Sequence, residues 1–319
     1  MTQSSRRTFI KKASLAGLAT TLPLSAFANS FPEPPKYKMS LNPGAIGVSM
    51  PMEPLLQLAR QYGFKAIAPD VNGYKEMSSE QRKSYLQRFK SYGMSWDAAG
   101  VPFDFRNAEK DFKTGINKLV VDAVMLQSMG VTRMNTWIMP THPKFTYREN
   151  FELHRERLTE VANRLLPYNI NLGLEYVGPK TLMARDKFSF IRTMAELKEL
   201  IEAIDMPNVG YQLDAFHWYC AGETVEDIKA LKAEQIVTVD LNDAKAGRTA
   251  DEQLDWEREL PGKSGIIDIQ GFLRALGEIG YDGPVRAEPF NKELGEMENR
   301  AAIAETSSWM KRSFIIATE

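Results

Sequence analysis

Four carboxylates stand where short apolar runs stop: Glu175 after Leu172-Gly173-Leu174, Asp214 after Val209 to Leu213, Asp240 after Ile236-Val237-Thr238-Val239, and Glu288 after Val285-Arg286-Ala287. If those runs are successive parallel strands, all four acids meet at one end of the sheet, where functional groups collect in such folds. Unpaired burial of one carboxylate is already costly, and four together repel each other unless a cation or protons relieve them. An all-oxygen set suits a hard divalent ion rather than a thiolate-seeking one. For each acid singly, the alternative is a helix cap or a pairing with Arg286 or Arg258.

The elements that must position these acids alternate along the whole chain. Strand candidates lie near Ala45 to Ser49, Ala66 to Pro69, Ser95 to Gly100, Arg133 to Ile138, Asn171 to Val177, Val209 to Asp214, Ile236 to Leu241 and Val285 to Pro289. Stretches of helical period separate them: Met52 to Tyr62, Ser79 to Tyr92, Ala108 to Met129, Tyr147 to Leu166, Met194 to Ile204, Val225 to Ala233, Ile269 to Ile279 and Asn299 to Ile316. Several open with capping residues, as in Thr224-Val225-Glu226-Asp227, and several close on glycine, as in Met129-Gly130-Val131. Eight β-then-α units predict an α/β chain folded as a single (β/α)8 TIM barrel. A doubly wound open sheet is the competing architecture, but neither GxGxxG nor GxxxxGK[ST] occurs.

The composition excludes other classes. Among 319 residues, 40 Lys and Arg face 41 Asp and Glu, and no basic stripe offers a nucleic acid its phosphate contacts. The lone Cys220 precludes an intrachain disulfide. At the N-terminus, Ser5-Arg6-Arg7-Thr8-Phe9-Ile10-Lys11, the apolar Ala13 to Leu24 and Ala26-Phe27-Ala28 resemble a twin-arginine export signal with its cleavage site. The apolar stretch is too short for a permanent membrane anchor. The expected organisation is a signal peptide over 1–28, a leader over 29–38 and the barrel over 39–319, giving a periplasmic or secreted protein. Cleavage removes four cations and no acids, so the mature charge becomes −5.

Leu174-Glu175-Tyr176, Gln212-Leu213-Asp214-Ala215-Phe216-His217, Val239-Asp240-Leu241-Asn242-Asp243, Leu260-Pro261-Gly262-Lys263-Ser264-Gly265-Ile266-Ile267-Asp268 and Gly280-Tyr281-Asp282-Gly283-Pro284-Val285-Arg286-Ala287-Glu288 together resemble the xylose-isomerase-like barrel superfamily of sugar isomerases and epimerases. The resemblance runs over about residues 39 to 317 and is densest after Asn171. It implies one divalent metal, manganese first with magnesium, cobalt or zinc as alternatives, held by Glu175, Asp214, Asp240 and Glu288. The family's epimerases usually carry histidine where this chain has Asp240, a change that makes the site harder and more anionic. The implied mechanism is proton transfer through an enediolate, with Glu175 and Glu288 as the acid/base pair. His217, Trp218, Arg248, His142 and Trp137 are the candidate substrate-binding residues, and Asn242 and Asp243 would orient the acids by hydrogen bonds. The expected substrate is a small carbohydrate. A lyase eliminating from keto-glycosides and a noncatalytic sugar-binding barrel are the competing functions. Trp309, Phe314 and Ile315 on the last helix make a homo-oligomer contact possible, although core packing explains them equally well.

Overall fold

The computed structural model describes residues 35–318; the paired-arginine segment and its cleavage site lie outside them. Eight parallel strands form the barrel wall: β1 (Lys38–Leu41), β2 (Ala66–Ile67), β3 in two pieces (Ser95–Trp96 and Ala99–Gly100), β4 (Arg133–Ile138), β5 (Asn171–Tyr176), β6 (Val209–Asp214), β7 (Ile236–Leu241) and β8 (Pro284–Ala287). Each pairs with the next, and β8 returns to β1. The first piece of β3 pairs with β2 and the second with β4, so the ring closes through one interrupted strand. Asp97 fills the interruption, accepting from Ser40 Oγ at 2.5 Å, Thr238 Oγ1 at 2.8 Å and Ala98 N at 2.6 Å.

β7 is buried at every position, as expected for a parallel strand covered on both faces. Helices Glu109–Met129, Tyr147–Leu165, Met194–Ile204 and Asn299–Ile316 follow the helical period closely. Gly130 closes the first of these at φ 82°, a conformation only glycine adopts without strain. The Thr224–Asp227 capping box is present, whereas the box at the second predicted helix is Ser78–Gln81, one residue ahead of its expected start.

One strand differs from the sequence expectation. Residues 44–46 form a single 3-10 turn rather than a strand, because Pro43 sets the turn and Gly47 leaves it at φ 73°. The first strand is Lys38–Leu41, whose last three residues are all buried. On the C-terminal helix, Phe314 packs edge-on against Tyr37 at 5.0 Å and Met310 is buried, while Ile315 is exposed. Among the described residues no helix is long and apolar enough to cross a membrane.

Candidate active site at the C-terminal mouth

Strand register decides which acids meet. Asp240 lies directly across from Asp214 on one side and from Arg286 on the other, and Arg286 lies across from Ser40. Neighbouring positions in parallel strands point the same way, so these side chains share one layer inside the barrel. Glu288, two residues beyond Arg286, faces the same way one layer nearer the mouth. One oxygen from each of Glu175, Asp214, Asp240 and Glu288 falls within 4.8 Å of the others, a cluster of the kind that holds a divalent ion.

The layers are not equivalent. In the lower one, Asp240 is clamped by Arg286, with Nε donating to Oδ1 at 2.6 Å and Nη2 to Oδ2 at 3.0 Å. Gln212 Nε2 adds a 2.6 Å bond to Asp240 Oδ2 and a 2.9 Å bond to Glu175 Oε1. Asp214 caps the short helix Ala215–Ala221 through Phe216 N at 2.6 Å and His217 N at 3.2 Å, and pairs with Arg258 Nη1 at 2.8 Å. Burial alone would raise the Asp214 carboxyl, but the Arg258 charge and the helix donors hold it below the usual range. Asp240 stands above that range because burial outweighs Arg286.

The upper layer opens into a cavity of about 390 Å³ lined by Glu175, His217, Arg258 and Glu288, with Trp137, Trp256 and Phe290 among its aromatic walls. Neither Asp214 nor Asp240 lines it. Burial first, and then the neighbouring Glu288, Asp214 and Asp240, push Glu175 well above the ordinary carboxylate range. Burial and Asp240 push Glu288 up to about 8 against the pull of Arg258. His217 Nε2 lies 3.4 Å from Arg258 Nη2, so that nitrogen accepts and the ring is neutral; burial lowers its pKa.

The remaining predicted residues divide. Trp137 lines the cavity, with the Arg106 guanidinium 3.8 Å from its ring centroid. Asn242 orients Asp214, donating to both its oxygens at 3.2 Å. Asp243 touches none of the four acids: it accepts from Ser264 N, Gly265 N and Ile267 N and exchanges backbone bonds with Glu259, fixing the loop that carries Arg258. Trp218 points away from the cavity, packing on Phe272 and donating to Thr224 O, because it occupies the core face of its helix. Arg248 pairs with Glu257 at 2.6 Å within its own loop, and His142 stacks on Phe145 while accepting from Phe145 N. Those three lie outside the cavity lining. The residue whose central place sequence reasoning missed is Arg258, seen there only as a partner for an acid. Its one signal was its position two residues before the Leu260-Pro261-Gly262 segment.

A closed (β/α)8 barrel with titratable groups gathered at its C-terminal mouth has the architecture of a barrel enzyme of the strand-end type. Residues 56–313 match the model of the xylose isomerase-like TIM barrel family, and the chain belongs to that family. It is 27% identical over 188 residues to an inosose isomerase of Bacillus velezensis, an alignment covering 58% of this chain and 63% of that protein. It is 27% identical over 134 residues to a ketose 3-epimerase of Arthrobacter globiformis, covering 42% and 40%. The chain thus spans about three fifths of the first relative and less of the second. In fold it resembles the IOLI protein with a bound zinc atom, at TM-score 0.73 and 22% identity, covering 87% of this chain and 98% of that one.

Whether this donor set accepts a metal turns on lone pairs. Asp214 Oδ1 already takes two backbone N–H groups and Asn242, and Oδ2 takes Arg258 and Asn242. Asp240 Oδ2 takes Arg286 and Gln212. A carboxylate oxygen has two strong acceptor positions, so Asp214 has none to spare and Asp240 has one. A hard ion needs six or more oxygen ligands, some of them water, and the arrangement as it stands does not fit one between Asp214 and Glu288.

Proposed function

We propose that the protein is an isomerase or epimerase of a small polyhydroxylated carbonyl compound, a ketose or an inosose, and that it moves a proton between Glu175 and Glu288. The observation that carries this reading is the pair itself: the buried Glu175 and the largely buried Glu288 face one cavity, and burial with neighbouring acids holds both above the ordinary carboxylate range, Glu288 at about 8. They rise from β5 and β8, three strands apart around the ring, and so approach the cavity from different sides.

The carboxylate form of one glutamate removes the proton from the carbon beside the substrate carbonyl, leaving a planar enediolate. The carboxylic acid form of the other delivers a proton. Return to the same carbon from the opposite face inverts it, and return to the former carbonyl carbon, with the hydroxyl proton passing between the two oxygens, exchanges aldose and ketose. Trp137 and Trp256 offer flat apolar walls to sugar C–H faces, and Glu175, Glu288 and His217 offer polar edges to hydroxyls. The similarity to an inosose isomerase and a ketose 3-epimerase supports this substrate class.

The test is isotope exchange. The purified protein, incubated in deuterated water with a panel of ketoses and inososes, is expected to wash deuterium into the carbon next to the carbonyl of its substrate, read by proton NMR. Glu175→Gln and Glu288→Gln should each lower that rate by about 10²–10⁴-fold while the circular dichroism spectrum stays that of the parent. A folded variant of either kind that retains the parent rate would remove the pair from the mechanism.

A further inference from the structure

We propose that Arg258 is the resident cation of this site: its guanidinium holds the place between Asp214 and Glu288 that a divalent ion would take, and a metal ion enters only by displacing it. Nη1 lies 2.8 Å from Asp214 Oδ2 and 3.3 Å from Glu288 Oε2, so this one terminal nitrogen donates to both of the acids that end β6 and follow β8. The rest of the guanidinium is engaged as well. Nη2 pairs with Asp255 Oδ1 at 2.8 Å, and Nε donates to Asp255 O at 2.8 Å.

The side chain is 1% exposed and clamped, with the Phe216 ring 4.6 Å and the Phe290 ring 4.5 Å from its central carbon. Phe290 makes that contact at φ 36°, a left-handed conformation that a bulky side chain adopts only under strain. Strain of this kind persists where surrounding structure over-determines it, and here it coincides with a ring seated on the buried cation that lines the cavity and pairs with Glu288. A second arginine completes the pattern, since Arg286 already neutralises Asp240 and stands 3.8 Å from Asp97.

A guanidinium is charged at every working pH and gives directional N–H donors. Fixed beside Glu288 at the cavity wall, it supplies positive charge where the substrate oxygen would gain negative charge, the service a metal ion would otherwise give. The proposal concerns the site of the isomerase reading, but its central measurement needs no substrate, so either can fail alone.

The experiment is metal content and metal affinity of the purified mature protein. After dialysis, elemental analysis is expected to find substoichiometric Mn, Mg, Co and Zn, and titration with Mn²⁺ should show only weak binding. Arg258→Ala and Arg258→Gln free Asp214 and Glu288 and should bind Mn²⁺ about tenfold or more tightly, because a fixed positive charge has been removed from beside the ion. One tightly held divalent ion per parent chain overturns the proposal, as does a folded Arg258 variant whose Mn²⁺ affinity equals the parent's. If both variants fail to fold, the parent's metal content decides alone.

Discussion

Arg286→Met should be among the most damaging single substitutions in the barrel, although Arg286 does not line the cavity. Its guanidinium makes a two-point contact with Asp240 at 2.6 and 3.0 Å, and both side chains are less than 5% exposed. Removing the cation leaves Asp240 buried with Gln212 Nε2 as its remaining donor. Breaking a buried pair in this way costs about 3–5 kcal/mol, whereas removing both charges together is often close to neutral. Arg286→Met is therefore expected to lose about 3–5 kcal/mol at pH 7.5 in urea unfolding followed by tryptophan fluorescence. Asp240→Asn added to it should return most of the loss, since the amide still accepts from Gln212. The pH dependence follows from the sign of the shift. Asp240 is already above the ordinary carboxylate range, and losing Arg286 raises it further. The folded variant then binds a proton that the unfolded chain has released, so its stability falls as pH rises above about 4, at about 1.4 kcal/mol per pH unit, and the deficit narrows in acid. A loss below about 1 kcal/mol, or no recovery in the double variant, would refute the view that this pair holds the floor of the site together.

Two further outcomes are expected. His154 is buried against Phe105 and Phe190 with Nδ1 on Asn150 O at 2.8 Å, and burial lowers its pKa from 6.5 to about 3. Between those values the unfolded chain binds a proton the folded one excludes, so stability drops on acidification by about 2 kcal/mol at pH 5, and His154→Phe should abolish that share. Unfolding at pH 7 and pH 5 checks it; an identical pH response in parent and variant contradicts it. Gly178→Ala would bring a Cβ within 2.4 Å of His217 O, a backbone atom that cannot rotate aside, and is expected to cost about 1–3 kcal/mol and to lower turnover by moving the helix that carries His217. Parental stability and activity in this variant would show that the close approach does not matter.

The acids were legible because each ends an apolar strand, and strand ends in such a barrel share one mouth. The layers inside the barrel were not, since they depend on register: only the pairing Asp240 with Arg286 across β7 and β8 shows that Arg286 belongs below and Glu288 above. Trp137 and Trp218 look alike in sequence, each close to a strand end. One sits at the open mouth on β4, and the other turns inward on a helix whose packing no local pattern announces. The first strand was misplaced because its four residues make a weaker signal than the apolar Ala45 to Ser49, which Pro43 and Gly47 divert into a turn.

Arg258 was the least legible because nothing near it is periodic. It lies in the long connection after β7, where the Asp243–Glu259 bridge brings the chain back over the mouth and Asp255, Phe216 and Phe290 fix the side chain. Its presence bears on Asp240. Asp240 adds a carboxylate, where the resemblance led to the expectation of histidine, to a barrel already holding Asp97, Glu175, Asp214 and Glu288, and such an excess must be met by cations or protons. Arg286 meets it directly across the register, Arg258 meets it at the mouth, and burial with the remaining like charge raises Glu175 and Glu288. The two groups raised in this way are the ones that face the cavity, where a proton-transferring pair would need one member as the acid and the other as the carboxylate.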